Sequence, residues 1–309
     1  MSLVVIGTVA FDAIETPFGK TDKIVGGSAS YVGLSASYFN QNPKLVAVVG
    51  DDFPAESIDV MKRRGFHLDG LQIKEGEKSF FWSGRYHDNM NQRDTLITEL
   101  NVLETFDPII PDAYQDCQYL MLGNLAPVVQ KQVIDRLQNR PKLVVMDTMN
   151  FWMDIAMDDL KETLKHVDVL TINDEEARQL SGEYALVTAA RKILTMGPKY
   201  LIIKKGEHGA LLFGEDKMFY VPALPLERVV DPTGAGDTFA GGFIGYLAQQ
   251  GEVNFENMKR ALIYGSAMAS FVVQEFGTVA LEDLKPEQVK ERVQQFLELS
   301  RVHLDAELA

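Results

Sequence analysis

Short, continuous apolar runs recur along the chain, separated by longer segments of mixed polarity. Residues 3–9, Leu45 to Val49, Tyr119 to Leu122, Leu143 to Met146, Val167 to Ile172 and Tyr200 to Lys204 are such runs. They are too short for buried helices, and most end at Gly, Asn or Asp, which predicts buried strands. Between them, residues 28–39, 54–64, 127–139, 154–166 and 185–196 read as helices. Strand alternating with helix predicts an α/β fold: a wound parallel sheet with helices on both faces. Gly209 to Phe213 and Met218 to Val221 read as further strands, and 238–249, 255–275 and 286–299 as closing helices. The tail from 300 on is expected to fray.

One region breaks the rhythm. Residues 71–100 hold two β-prone stretches around polar Asp88-Asn-Met-Asn-Gln, and residues 11–24 are also strand-like. Together they predict a small β-sheet lid on a single domain, 1–309, the alternative being an edge extension of the main sheet. The lid crowds Phe80, Phe81, Trp82, Arg85, Tyr86, His87 and Arg93 together. Its aromatics suit a nucleoside base or a sugar face, and Arg85 or Arg93 an anionic substrate; the alternative is a lid packed on itself or on a partner's lid. Exposed strand edges there favour a homodimer through the lid.

Composition narrows the classes. Of 309 residues 46% are hydrophobic, ample for a sizeable core, and the net charge of −14 without a basic run argues against nucleic acid. That charge opposes long-range attraction of an anionic ligand, so a phosphate site must be built locally. The single cysteine, Cys117, reads as a small core hydrophobe, and the five histidines lack metal-ligand spacing. No stretch of ~18 apolar residues predicts a membrane span, and the start reads as a first strand without a leader, from which a cytoplasmic location is expected.

Asp12, Asp51, Asn124, Asp147, Asn173 and Asp237 all follow strand ends, the edge where wound sheets bind ligands. The most informative stretch is Val229-Val-Asp-Pro-Thr-Gly-Ala-Gly-Asp-Thr-Phe-Ala-Gly-Gly. It reads as strand end, tight loop and helix start, with Gly234, Ala235 and Gly236 offering free N–H groups and a positive dipole end to an anion. A carboxylate there, Asp237, is costly unless it has work, such as taking a proton from a hydroxyl that attacks a bound phosphate. A Walker loop would end in Gly-Lys-Ser/Thr, and a dinucleotide fingerprint would need Gly at Phe239; neither fits.

Asp231, Gly234, Ala235, Gly236, Asp237, Gly241 and Gly242 resemble the second signature of the ribokinase-like carbohydrate kinases, the PfkB family. The alternative is an incidental Gly-rich turn. The resemblance implies a ribokinase-like three-layer wound sheet with a β-sheet lid. It also implies an ATP- and Mg2+-dependent kinase of an alcohol hydroxyl, with Asp237 as base and the loop 234–236 as anion hole. Asn173 and Glu176 resemble the family's magnesium-associated N-x-x-E pair; they read equally as a helix capping box, and the two can coexist. Lys204, Gly206 and Gly209 resemble the nucleotide-side loop, Lys204 or Lys205 facing phosphate, with a plain hairpin turn as the alternative. Ser266, in a small-residue helix face, suits a flank for adenine or simple helix packing. Asp231 and Thr233 correspond to residues that in many relatives bind a monovalent cation such as K+.

For the acceptor, the family places an early Asp and a Gly-Gly pair on sugar hydroxyls, which Asp12, Gly26 and Gly27 match; Asn124 and Arg85 are further candidates. The Asn expected shortly after Gly-Gly is missing, for the chain reads Ser28-Ala-Ser-Tyr-Val-Gly. The implied acceptor is a sugar, with a nucleoside as the alternative and a non-catalytic sensor as a rival. A NAD-dependent oxidoreductase shares the architecture without its fingerprint.

Overall fold

The computed structural model describes residues 1–39, 42–299 and 301. In chain order its strands are β1 Leu3–Ile6, β2 Ala10–Thr16, β3 Gly19–Lys20, β4 Ile24–Gly26, β5 Lys44–Gly50, β6 His67–Lys74 and β7 Phe81–Tyr86. They continue with β8 Arg93–Glu99, β9 Tyr119–Leu122, β10 Leu143–Asp147, β11 Val169–Asn173, β12 Tyr200–Lys204, β13 Ala210–Gly214 and β14 Lys217–Val221. Nine of them form the main sheet in the order β14-β13-β12-β11-β10-β9-β1-β5-β6. From β6 to β12 all pairings are parallel, while β12, β13 and β14 are antiparallel. The last hairpin turns through Glu215 and Asp216, both at positive φ, the backbone that two-residue hairpin loops require.

Strand residues alternate between two cores. Val5, Ala47, Met121, Val145 and Ile202 face one, with the helices Ser28–Ala36, Ala235–Gln250 and Phe255–Val272. Val4, Val46, Leu120, Val144 and Leu201 face the other, with the helices Pro127–Arg136, Met157–Leu164, Asp174–Ser181 and Leu186–Leu194. This period of two, buried on both sides, explains why the runs read as uniformly apolar. Cys117 lies in the second core, its thiol pushed up to about 11 by burial. Among the described residues no helix is long and apolar enough to cross a membrane.

The second sheet has the order β3-β2-β7-β8, with β4 also paired to β2. It spans residues 10–26 and 81–99, so the expected start at 71 is corrected: residues 71–74 belong to β6, hydrogen-bonded to β5 at the edge of the main sheet. Two other expectations change. The helix expected at 154–166 is two helices, Asn150–Ile155 and Met157–Leu164, broken at non-helical Ala156 (φ −143°, ψ 36°). After β11 the pair Asn173 and Glu176 had implied only a helix start, and the helix that follows is the short Asp174–Ser181. The fraying expected from 300 on lies, Arg301 apart, outside the described residues.

Main-sheet strand order reverses direction between β1 and β9, the crevice where wound sheets bind ligands. The helix Ser28–Ala36 starts above it. Thr8 N–H donates to Ser28 Oγ (3.1 Å), and Ser28 N–H to Thr8 Oγ1 (2.9 Å). The helix Ala235–Gln250 packs alongside, where Ser35 Oγ donates to the Thr238 carbonyl (2.7 Å). A Cβ at Gly241 would lie 2.3 Å from the Val32 carbonyl oxygen, so only glycine permits this approach. Gly241→Val is therefore expected to cost at least the ~1–3 kcal/mol typical of overpacking. Urea unfolding measures this, and an unchanged midpoint would show that the two helices do not pack this closely.

Candidate active site

The turn after Val230 fixes the site's floor. Gly234, at φ +74°, caps the helix Ala235–Gln250 in the left-handed conformation and supplies no side-chain cap. A Cβ there would also lie 2.5 Å from the Tyr31 ring. Ala235 N–H, expected in the anion hole, instead donates to the Pro232 carbonyl (3.2 Å). Gly236 N–H thus stands first toward a ligand, at the positive end of a sixteen-residue helix. Thr233 N–H donates to Asp231 Oδ1 (2.8 Å), which anchors the turn on a fully buried carboxyl group.

Asp237 is half-buried, one residue into the helix from Gly236. Its pKa is pushed up to about 7, chiefly by loss of water and then by the charge of Asp147, with Lys204 and Arg93 pulling the other way. Lys204, at the end of β12, pairs with Asp147, at the end of β10: Nζ to Oδ2 is 2.6 Å. Thr171 Oγ1 donates to the same oxygen (2.9 Å). A Cβ at Gly236 would lie 3.0 Å from Lys204 Nζ, so the ammonium group sits against the helix start. Lys204, one of the two lysines that the resemblance offered, thus lies beside the start of the signature helix.

Asn173 and Glu176 form a complete capping box. Glu176 N–H donates to Asn173 Oδ1 (2.8 Å), and Asn173 N–H to Glu176 Oε2 (2.7 Å). Glu176 is buried, and desolvation with Asp147 nearby pushes it up to about 7. Among the described residues no group of three or more His, Cys, Asp or Glu side chains is placed to hold a metal ion.

Asp12, on β2, brings the second sheet into the site. It is 5% exposed and pushed up to about 7 by burial, then by Asp231 and Asp237, against the Gly27 N–H and Arg93. Gly26 leaves room for it, since a Cβ there would lie 1.9 Å from Asp12 Oδ2, while Gly27 (φ +91°) is required by the backbone, a Cβ lying 2.5 Å from the Thr8 carbonyl.

Arg85 is a correction. Along β7, Gly84 and Tyr86 are buried while Arg85 points to the opposite, exposed face and pairs with Glu15 (2.9 Å). The lid cation that reaches this acidic cluster is Arg93, across the hairpin from Tyr86. It keeps surface open to solvent, yet its guanidinium bonds Tyr86 and feels Glu176 and Asp237. Tyr86 in turn accepts from Thr233 Oγ1 (3.2 Å), so the second sheet touches the signature loop. Strand alternation and the cross-strand pairing of residue 86 with 93 were the signals that could have chosen Arg93 over Arg85.

Other expected residues lie apart from this centre. Asn124 Oδ1 accepts from Trp152 Nε1 (2.9 Å), and its Nδ2 donates to Met149 Sδ (3.0 Å), so both ends of the amide hold the chain after β10. Ser266 is buried on the helix Phe255–Val272, whose Gly265 lies so close to the signature helix that a Cβ would be 2.7 Å from the Phe239 carbonyl. The Gly206 loop meets the second sheet: a Cβ at Gly206 (φ +55°) would lie 2.4 Å from Asn91 Oδ1 at the β7–β8 hairpin tip. Gly209, at φ +83°, lets the loop pass beside the Val221 carbonyl.

Residues 2–284 match the model of the pfkB family carbohydrate kinases. The chain belongs to this family. A cytidine kinase of Thermococcus kodakarensis is 33% identical over 251 residues, covering 79% of this chain and 87% of the other. The nucleoside kinase of Methanocaldococcus jannaschii, described as an archaeal member of the ribokinase family, superposes with a TM-score of 0.75 at 21% identity, over 96% of this chain and 99% of that one. A putative ribokinase II from E. coli, solved with ATP and Mg2+, gives 0.78 at 19%, over 95% and 99%. The fold is therefore the ribokinase-like one, and the pfkB family assignment makes the chain a kinase.

The clustered carboxyls set a pH dependence. Asp12, Glu176 and Asp237 hold protons in the folded chain up to about 7, whereas the unfolded chain releases them near ~4. The stability this contributes is fully present below ~4 and lost as pH rises through about 7. Asp237→Asn is expected to raise the melting temperature more at ~pH 8 than at ~pH 5. Scanning calorimetry reads this, and equal shifts at both pH values would show that the ionised carboxylate is not strained by its neighbours.

Proposed function

We propose that the chain transfers the terminal phosphoryl group of ATP to an alcohol hydroxyl of a small polyhydroxylated acceptor, a nucleoside before a free sugar. The observation that carries this is the Asp237 carboxyl at a helix N-terminus, one residue from the Gly236 N–H and beside Lys204. An anion site and a proton acceptor on one turn suit attack of a hydroxyl on a phosphoryl group. Asp237 takes the proton from the acceptor hydroxyl. The oxygen bonds the terminal phosphorus, the bond to the bridging oxygen breaks, and ADP leaves. With its pKa pushed up to about 7, Asp237 is matched to a proton transfer near neutrality.

The other roles belong to the same proposal. Gly236 N–H and Lys204 Nζ meet the transferring oxygens, with Gly234 and Ala235 shaping the turn. Asp12 accepts from acceptor hydroxyls, Gly26 leaves it room, and Gly27 lets the backbone turn beside it. Gly206 and Gly209 border the nucleotide. The second sheet acts as a lid that carries Arg93 over the reacting groups and excludes water. Every residue of its edge strand β8 is exposed, Leu96 and Ile97 included, which supports pairing of lids in a homodimer.

Mg2+ fits this site through water. Asn173 and Glu176 bond each other, yet Glu176, Asp147 and Asp237 together give the negative field that a hydrated ion on the phosphates needs. Bound there, Mg2+ would neutralise phosphate charge. K+ at Asp231 and Thr233 is supported by a fully buried Asp231 carboxyl that accepts backbone N–H bonds from Thr233 and Gly277 and has no ion-pair partner among the described residues.

A nucleoside is favoured by the cytidine kinase similarity over most of both chains. A free sugar is the second reading, favoured by the family's carbohydrate kinase description.

ADP release measured over a panel of nucleosides and sugars tests the proposal. A nucleoside is expected to give the highest kcat/KM; ADP at background with every acceptor would overturn the kinase reading for this chain. Asp237→Asn is expected to lower kcat by roughly 10²–10⁴-fold while ATP still binds. In the unaltered chain kcat/KM should fall as pH drops below about 7, because the base becomes protonated. Gly236→Val, whose side chain would meet Lys204 Nζ, is expected to weaken turnover as well.

A further inference from the structure

Tyr31 lies one turn into the helix Ser28–Ala36 and is 1% exposed. Its ring is the wall against which Gly234 must be a glycine. Its hydroxyl is buried and has no hydrogen-bond partner among the described residues. Asp12, Asp231, Asp237 and lid residue Tyr86 all act on that hydroxyl electrostatically. An O–H buried without a partner is costly, and unlike Tyr119 this one stands against the signature loop, where a ligand atom would satisfy it.

The neighbours decide what that atom is. A phosphate or carboxylate oxygen would accept from Tyr31 but be repelled by three acidic groups. An ammonium would suit the acids but could not accept. An alcohol oxygen does both: it accepts from Tyr31 and donates to a carboxylate. We infer that Tyr31 is a specificity-determining residue of the acceptor site, donating its hydroxyl proton to one alcohol oxygen of the polyhydroxylated acceptor while Asp12 or Asp237 accepts from the same alcohol. The inference rests on the kinase reading above and extends its acceptor site by a donor. It also gives the missing asparagine a replacement: a tyrosine, longer and able to donate, within the same Ser28-Ala-Ser-Tyr-Val-Gly segment.

Tyr31→Phe keeps the ring on Gly234 and removes only the donor. With the preferred acceptor, kcat/KM is expected to fall about tenfold, the scale of one hydrogen bond, while KM for ATP is unchanged. Acceptors deoxygenated one hydroxyl at a time supply the second readout. The unaltered chain should lose about the same factor on one particular deoxy acceptor, and Tyr31→Phe should be indifferent to that deoxygenation but not to the others. A merely structural tyrosine would lose activity equally on every acceptor. Melting temperature separates the remaining explanation: without acceptor, Tyr31→Phe should melt no lower than the unaltered chain, and a clear drop would assign the hydroxyl to a structural water. Turnover indistinguishable from the unaltered chain, or an equal loss on all deoxy acceptors, overturns the assignment alone. No turnover by the unaltered chain with any alcohol overturns the kinase reading and this assignment together.

Discussion

Asp12, Asp147, Glu176, Asp231 and Asp237 converge where the main sheet's strand ends meet the second sheet, and among the described residues Lys204 and Arg93 are the cations that oppose them most. Burial there removes the water that would otherwise screen like charges from one another. The carboxyl groups respond in different ways. Asp147 keeps Lys204 within 2.6 Å. Asp12, Glu176 and Asp237 retain protons toward neutrality. Every other arrangement at the site serves this crowding. The wound sheet brings the strand ends together, the capping box fixes Glu176, and the second sheet supplies the missing positive charge from above.

That division of labour has a structural logic. Lys204 belongs to the main sheet and is fixed with it, whereas Arg93 rides on a hairpin whose outer strand is exposed along its whole length. The permanent cation sits beside the anion loop. The other cation is carried by a segment with far fewer buried contacts, the kind of element that opens most readily. Glycines complete the arrangement where atoms must approach closely. Gly26 makes room for Asp12, and Gly234 combines a left-handed backbone with contact to Tyr31.

The main sheet was legible because buried parallel strands announce themselves as short apolar runs, and the register of the runs from Leu3 to Lys204 matches the observed strands closely. The signature loop was legible because a left-handed glycine, a helix start and a misplaced carboxylate coincide in four residues. Side-chain direction was harder. Arg85 and Arg93 are equally cationic in the sequence, and only the pairing across the hairpin shows which one faces Asp237. Asn124 follows a strand end as Asp147 and Asn173 do, but its neighbours in space, Met149 and Trp152, lie some 25 residues away in the chain. The edge strand β6 read as part of the lid because its half-exposed pattern, unlike that of the interior strands, is shared by both sheets.

Two hydrogen bonds tie the second sheet to the segment that carries the phosphate-side turn: Thr16 Oγ1 to the Val230 carbonyl (3.0 Å) and Thr233 Oγ1 to Tyr86 (3.2 Å). They join the second sheet to the signature loop, which in the proposed function lie on the acceptor and phosphate sides, so movement of either strains bonds to the other. Linkage then applies to the pair of ligands as it does to any two sites sharing one equilibrium. To the extent that either ligand favours the bonded arrangement, it lends affinity to the other by an equal factor. On the proposed reading, two threonine hydroxyls would be the physical link through which acceptor and nucleotide feel one another.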